Sequence, residues 1–206
     1  MALLEIQQLG FERDEQLVFA PVSFELHSGQ ILQVLGPNGV GKTTLLKLLA
    51  TLLTPACGSV LWQGQPISQV SEAYLHSLYY LGHKVAVTPE LSAWENLAFL
   101  AKLGNMPGDL ARALSAVQLA PLAERLCREM SAGQQRRVAL ATLWLTQARL
   151  WILDEPFTAL DVQACARLAK QLQAHALAGG MVIFTSHQQV DFTALAPETL
   201  TLQVAL

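Results

Sequence analysis

The stretch Ile31-Leu32-Gln33-Val34-Leu35-Gly36-Pro37-Asn38-Gly39-Val40-Gly41-Lys42-Thr43-Thr44 decides the fold of this chain. Ile31–Leu35 is short and nearly all apolar, the pattern of a strand buried on both faces of a parallel sheet. Gly36 to Thr43 then fits G-x-x-x-x-G-K-[ST], and a helix is expected from about Lys42 to Leu53. Glycines at these places let backbone N–H groups turn inward and cradle phosphate oxygens, while the helix start adds the positive end of its dipole. Lys42 supplies a point charge for the outer phosphates, and the Thr43 hydroxyl, followed by Thr44, stands where Mg2+ is ligated. At this chain's composition an accidental match has a probability of roughly 0.2%. Gly36, Pro37, Asn38, Gly39, Val40, Gly41, Lys42, Thr43 and Thr44 are therefore read as a nucleoside-triphosphate site.

Outward from this loop, short apolar runs alternate with longer helical patterns. Strands are expected at Leu3–Leu9, Leu17–Leu26, Gly58–Trp62, Leu78–Leu81, Leu150–Leu153, Met181–Thr185 and Thr199–Val204. Helices are expected at Ala93–Leu103, Leu110–Leu119, Pro121–Cys127, Gly133–Thr146 and Val162–Leu177, with a short one after Thr185. The alternation predicts a single α/β domain over residues 1–206. Its parts are a mainly parallel sheet, antiparallel N-terminal strands and a helical insertion at roughly 85–130.

Composition narrows the function. Apolar residues make up 52% of the 206 and charged residues only 14%, which excludes a disordered chain. The net charge of −3, with no basic run, argues against a nucleic-acid partner. No window approaches the ~20 apolar residues of a membrane span. Met1 to Phe11 carries Glu5 and lacks the basic start of a secretory signal. The apolar surplus therefore implies a large core or a surface that a partner covers. Cys57, Cys127 and Cys165 are far apart and odd in number, which suits buried thiols in a reducing compartment, hence the cytoplasm.

Leu150-Trp151-Ile152-Leu153-Asp154-Glu155 is an apolar strand ending in two carboxylates. A parallel strand delivers its C-terminal end to the phosphates. Asp154 is expected to hold Mg2+, while Glu155 polarises an attacking water. His187, just past the run ending at Thr185, reaches the same sheet edge for contact with the γ-phosphate. His27, His76 and His175 have no such setting and are expected at the surface or at element boundaries.

Met130-Ser131-Ala132-Gly133-Gln134-Gln135-Arg136-Arg137-Val138 resembles the LSGGQ signature of ATP-binding-cassette ATPases, and its Ser131 lies 23 residues before Asp154, as in that family. Alone, the run also suits a plain helix N-cap at Ser131. In register with the loop, the Asp-Glu strand, Ala159-Leu160-Asp161 as the D-loop and His187 as the switch histidine, the resemblance spans the chain. Glu12-Arg13-Asp14-Glu15, Leu61-Trp62-Gln63-Gly64-Gln65-Pro66, Gly82-His83 and Trp151 to Asp161 further resemble the ATP-binding subunits of cytochrome c maturation (haem exporter) systems.

The resemblance implies ATP and Mg2+ as cofactors and an enzyme that hydrolyses ATP. It implies a homodimer stacked head to tail, so that Ser131, Gly133, Gln134 and Asp161 of one subunit complete the other's ATP site. It also implies an integral membrane partner of a cytochrome c maturation system, with this chain peripheral on the cytoplasmic side of the inner membrane. Val85-Ala86-Val87, Pro89 and Leu91 are the apolar candidates for docking that partner. A soluble cassette acting on DNA or ribosomes is the competing class, but basic extensions, tandem cassettes and coiled-coil insertions are missing. With nineteen residues after His187, a regulatory C-terminal domain is not expected.

Two positions depart from the cassette pattern. Arg13 stands where cassettes usually stack adenine on an aromatic ring, so its guanidinium is expected over the base. His83 stands where cassettes usually place a glutamine that contacts Mg2+ and the attacking water. A neutral imidazole accepts from water or ligates a metal, so His83 is expected to inherit that task.

Overall fold

The computed structural model describes residues 3–84, 86–188 and 190–205. Val85, among the docking candidates, lies outside the described residues. Two sheets form the body. The first is antiparallel, in the order β4-β1-β6-β7, from β1 (Leu4–Gly10), β4 (Val22–Leu26), β6 (Cys57–Trp62) and β7 (Gln65–Pro66). The second holds β5 (Ile31–Leu35), β8 (Leu78–Leu81), β9 (Leu150–Leu153), β10 (Met181–Thr185) and β11 (Glu198–Thr201), in the order β11-β5-β10-β9-β8. Its four strand pairings are all parallel. The apolar run of β9 and that of β10 are buried along their whole length, as strands covered on both faces must be.

α1 (Lys42–Leu49) packs its leucines against the inner faces of both sheets, in a core that includes Leu4, Leu26, Leu45, Ile152 and Ile183. α6 (Val162–Leu177) covers the opposite face of the parallel sheet through Leu168, Leu172 and Ala176, which meet Trp151, Val182 and Phe184. A third cluster joins α3 (Ala93–Leu103), α4 (Leu110–Ala116) and α5 (Ala132–Leu140) through Leu97, Leu114, Val138 and Leu145. Ser92 starts α3 with a capping box, its hydroxyl accepting from Glu95 N while Glu95 Oε2 accepts from Ser92 N. The next residue, Asn96, is buried and clamps the preceding loop: its Oδ1 accepts from Thr88 N and its Nδ2 donates to Thr88 O and Leu91 O.

Several element boundaries differ from expectation. Leu17–Leu26 is not one strand. Pro21, which cannot donate to a ladder, separates Val22–Leu26 from a small hairpin of β2 (Glu12–Arg13) and β3 (Gln16–Leu17). Asp14 and Glu15, both at positive φ, make its two-residue turn. Pro121–Cys127 is two short 3-10 turns, Ala120–Leu122 and Cys127–Glu129, rather than a helix. α5 ends at Leu140 and continues as a 3-10 turn over Ala141–Trp144. α2 (Ser71–Ser77) was not expected, and no helix forms among the described residues between Thr185 and Glu198. Cys57 is exposed, against the expectation of buried thiols, whereas Cys127 is buried.

Candidate functional site

The phosphate loop joins β5 to α1 as the sequence requires. Gly41 is the residue before the helix and takes φ +105°, a left-handed conformation open to glycine. A Cβ there would also meet Phe19 Cδ1 at 2.7 Å and Val18 Cγ1 at 2.9 Å, so the segment after the small hairpin presses directly on the loop. Lys42 is only 8% exposed, and its Nζ donates to Gly36 O at 2.8 Å and Pro37 O at 3.1 Å. The ammonium is thus held over the loop's own concavity.

One strand, β10, separates β5 from β9, and its last residue, Thr185, holds the end of β9. Thr185 Oγ1 donates to Asp154 Oδ1 at 2.9 Å and accepts from Glu155 N at 2.8 Å. Asp154 is 1% exposed, and its other oxygen, Oδ2, accepts from Thr43 Oγ1 at 2.9 Å. A hydroxyl and a carboxylate from opposite sides of the cleft therefore already touch. That pair is a hard-oxygen set suited to Mg2+, which keeps several water or phosphate oxygens rather than a full protein cage. No cluster of three or more His, Cys, Asp or Glu side chains with metal-holding geometry occurs among the described residues.

Glu155 sits at φ +50° and precedes Pro156, a costly backbone state for a residue with a side chain. Its Oε1 is buried without a hydrogen-bond partner among the described residues, with His187 Nε2 3.4 Å away. Its Oε2 accepts from His187 N at 3.3 Å. Asn38, Gly39, Gly41, Lys42, Thr43, Thr44, His83, Asp154, Glu155 and His187 line one open cleft of about 540 Å3, together with Thr158 and Gln188.

Ser131, Gly133, Gln134, Asp161 and Arg13 do not line that cleft. Ser131 caps α5 through a capping box with Gln134, and Asp161 caps α6 by accepting from Ala164 N at 2.7 Å. Arg13 is exposed on β2. Sequence reasoning missed Thr185, although its place one residue before Ser186-His187 marks it as the strand's last residue. It also missed Arg136, which is 3% exposed. Arg136 Nη1 donates to Gly82 O and His83 O, and its Nη2 donates to Asp154 O and Glu155 O.

Of the docking candidates, Ala86 lines a second groove of about 860 Å3, whereas Val87 turns toward the core. That groove lies between α3 and β8 and takes Leu75, Tyr80, Leu103 and Met106 as its apolar lining. No helix among the described residues is long and apolar enough to cross a membrane.

A phosphate loop, an Asp-Glu strand end two strands away and a capped signature helix define a nucleoside-triphosphatase of the cassette type. The ABC transporter family profile matches residues 19–158, and the chain belongs to that family. Among curated proteins, the cytochrome c biogenesis ATP-binding export protein CcmA of Escherichia coli K12 is 48% identical over 194 residues, 93% of this chain and 92% of the relative. The protein of that name from Shigella flexneri matches equally. Among solved structures, an ABC transporter ATP-binding protein from Pyrococcus furiosus superposes with a TM-score of 0.79 at 27% identity, covering 96% of both chains. A second, an ATP-binding subunit of an ABC transporter, gives a TM-score of 0.78 at 25% identity over 90% of this chain and 80% of that one.

Proposed function

We propose that this chain is the ATPase subunit of a membrane-bound ABC complex serving cytochrome c biogenesis. It acts as a single ATP-binding domain with a helical subdomain at about 85–130. The observation that carries hydrolysis, beyond binding, is Glu155: a carboxylate oxygen in the cleft, buried and without a hydrogen bond among the described residues, 3.4 Å from His187 Nε2 and beside the Thr43–Asp154 contact. Backbone N–H groups of Gly36 to Gly41 and the Lys42 ammonium bind the phosphates. Thr43 and Asp154 would hold Mg2+, with His83 contacting the same ion or its water. When bound, the ion would supply positive charge to the triphosphate oxygens. Glu155 Oε1 takes a proton from the attacking water, and His187 orients that carboxylate and contacts the γ-phosphate.

Arg13 covers the adenine face. Ser131, Gly133, Gln134 and Asp161 lie outside the cleft because they serve the site of a second copy in a head-to-tail dimer. The N-terminal end of α5 then faces the other subunit's γ-phosphate, where its dipole is favourable. The subunit docks peripherally on an integral membrane partner at the cytoplasmic face of the inner membrane, without nucleic acid. Its 48% identity to CcmA proteins over nearly the whole chain supports the cytochrome c role above other ABC transport.

The test is to solubilise membranes carrying tagged Glu155→Gln chain with MgATP present and to identify what is retained. Two copies of this chain with integral membrane subunits and haem-handling proteins are expected. Retention of ribosomal proteins or DNA in their place would overturn the reading.

A further inference from the structure

Arg136 lies on α5, about one and a half turns beyond Ser131, yet its guanidinium reaches the backbone of the strand ends that carry Asp154 and Glu155. Among the described residues it forms no ion pair with a carboxylate. It donates instead to four backbone carbonyls: Gly82 at 3.2 Å, His83 at 3.2 Å, Asp154 at 3.0 Å and Glu155 at 2.9 Å. These carbonyls converge because β8 and β9 are parallel neighbours, with Leu81 level with Leu153. Residues 82–83 and 154–155 therefore leave the sheet side by side. A planar fork of N–H groups matches that layout, whereas an ammonium does not.

The arrangement is costly, which argues that it is there for position. The guanidinium is almost wholly buried, and its Nε has no acceptor among the described residues. Burial pulls its pKa below the ordinary arginine value, against the opposite pull of Asp154, Glu155 and Tyr79, and it remains a cation. One of its acceptors belongs to Glu155, whose left-handed backbone must be held by its neighbours. Thr185 Oγ1 holds the N–H of that residue, and Arg136 holds its carbonyl.

We infer that Arg136 is a positioning residue that locks the hydrolytic carboxylate of its own site to the helix completing the ATP site of the second subunit. The inference rests on the head-to-tail dimer proposed above. Seating of α5 on one nucleotide then fixes Glu155 and His83 at the other, so the two sites hydrolyse ATP cooperatively. Loss of the fork frees the strand ends, while the phosphate loop keeps the Lys42 bonds to Gly36 and Pro37 that shape it.

The experiment compares wild type, Arg136→Gln and Arg136→Lys in the full complex, reading turnover against ATP concentration and direct nucleotide binding. Arg136→Gln is expected to lower kcat by about tenfold or more, since misplacing a reacting group by ~1 Å costs about a hundredfold. Nucleotide affinity should stay within about twofold, and the Hill coefficient should fall toward one. Arg136→Lys, keeping the charge without the fork, should lie between them. A kcat within about twofold of wild type, an unchanged Hill coefficient, or a parallel loss of nucleotide affinity overturns the role of Arg136. If Arg136→Gln fails to fold, Arg136→Lys decides on the same readings. A non-cooperative wild type, with Glu155→Gln remaining monomeric in ATP, instead overturns the dimer on which the inference rests.

Discussion

Glu155 holds an unfavourable backbone, at φ +50° before a proline, for a cost on the order of 1–3 kcal/mol. Its main-chain bonds to Thr185 and Arg136 do not involve the carboxylate, so a side chain of equal shape should leave the geometry intact. Glu155→Gln is therefore expected to bind MgATP with wild-type affinity while turning over about 10²–10⁴-fold more slowly, the typical contribution of a general base. Phosphate release and nucleotide-binding titrations measure the two effects separately, and near-normal turnover would remove the residue from this role. The contact residues of the cleft were readable in the sequence because the chemistry dictates their type: Lys42, Thr43, Asp154, Glu155 and His187 all line it or touch a residue that does. Thr185 was legible as the last residue of its strand but not as the hydroxyl that holds Asp154 and the Glu155 N–H. Arg136 was not readable, because it acts through backbone carbonyls, which any residue supplies.

The signature helix carries two demands at its first turn. Ser131 and Gln134 close the capping box, so the plain helix-cap reading of this motif holds alongside the family resemblance. Gly133 is required for another reason: a Cβ there would lie 2.5 Å from Ala159 O, a backbone atom of the D-loop that cannot swing away. Ala159 itself has φ +63°, so the D-loop has little freedom to yield. Gly133→Ala would favour the helix by up to ~1 kcal/mol on propensity alone. It should nevertheless lower turnover by about tenfold or more, because α5 and the D-loop must separate at the face offered to the second subunit. Thermal melting and turnover together are decisive, since unchanged turnover would show that the contact relaxes harmlessly. The elements best read in the sequence, Ala93–Leu103, Leu150–Leu153, Val162–Leu177 and Met181–Thr185, have strong periodicity or unbroken apolar runs. Of those misread, Leu17–Leu26 is interrupted by Pro21, and Pro121–Cys127 begins with a proline that sits in the 3-10 turn Ala120–Leu122.

At the scale of the molecule, His175 was expected at the surface or an element boundary and lies in the last turn of α6, where its ring also stacks on the buried Trp151, with centroids 3.7 Å apart and planes 7° from parallel. Burial pulls its pKa below the ordinary histidine value, against opposing hydrogen bonds to the backbone of Arg149 and Met181. The unfolded chain therefore takes up a proton below about pH 6.5 that the folded chain resists, and stability falls as pH drops from there toward the folded pKa. His175→Phe keeps the stack and should flatten this part of a melting-temperature profile; an unchanged acid limb would place its origin elsewhere. The apolar surplus also has an owner at this scale. Leu103 is 74% exposed and Leu75 50%, and both line the groove of about 860 Å3 between α3 and β8. An exposed leucine contributes little to folding, so Leu103→Glu should change stability by no more than ~0.5 kcal/mol. The nucleotide cleft is lined by other residues, so ATP affinity should also be unaltered. If the groove receives the membrane partner, a carboxylate placed among those side chains is desolvated on docking at a cost that the exposed Lys84 of the same lining offsets only weakly, and association suffers. The measurement is the fraction of chain recovered with membranes when the partner subunits are co-expressed. Leu103→Glu is expected to move most of the chain into the soluble fraction, and wild-type recovery would rule this groove out as the docking surface.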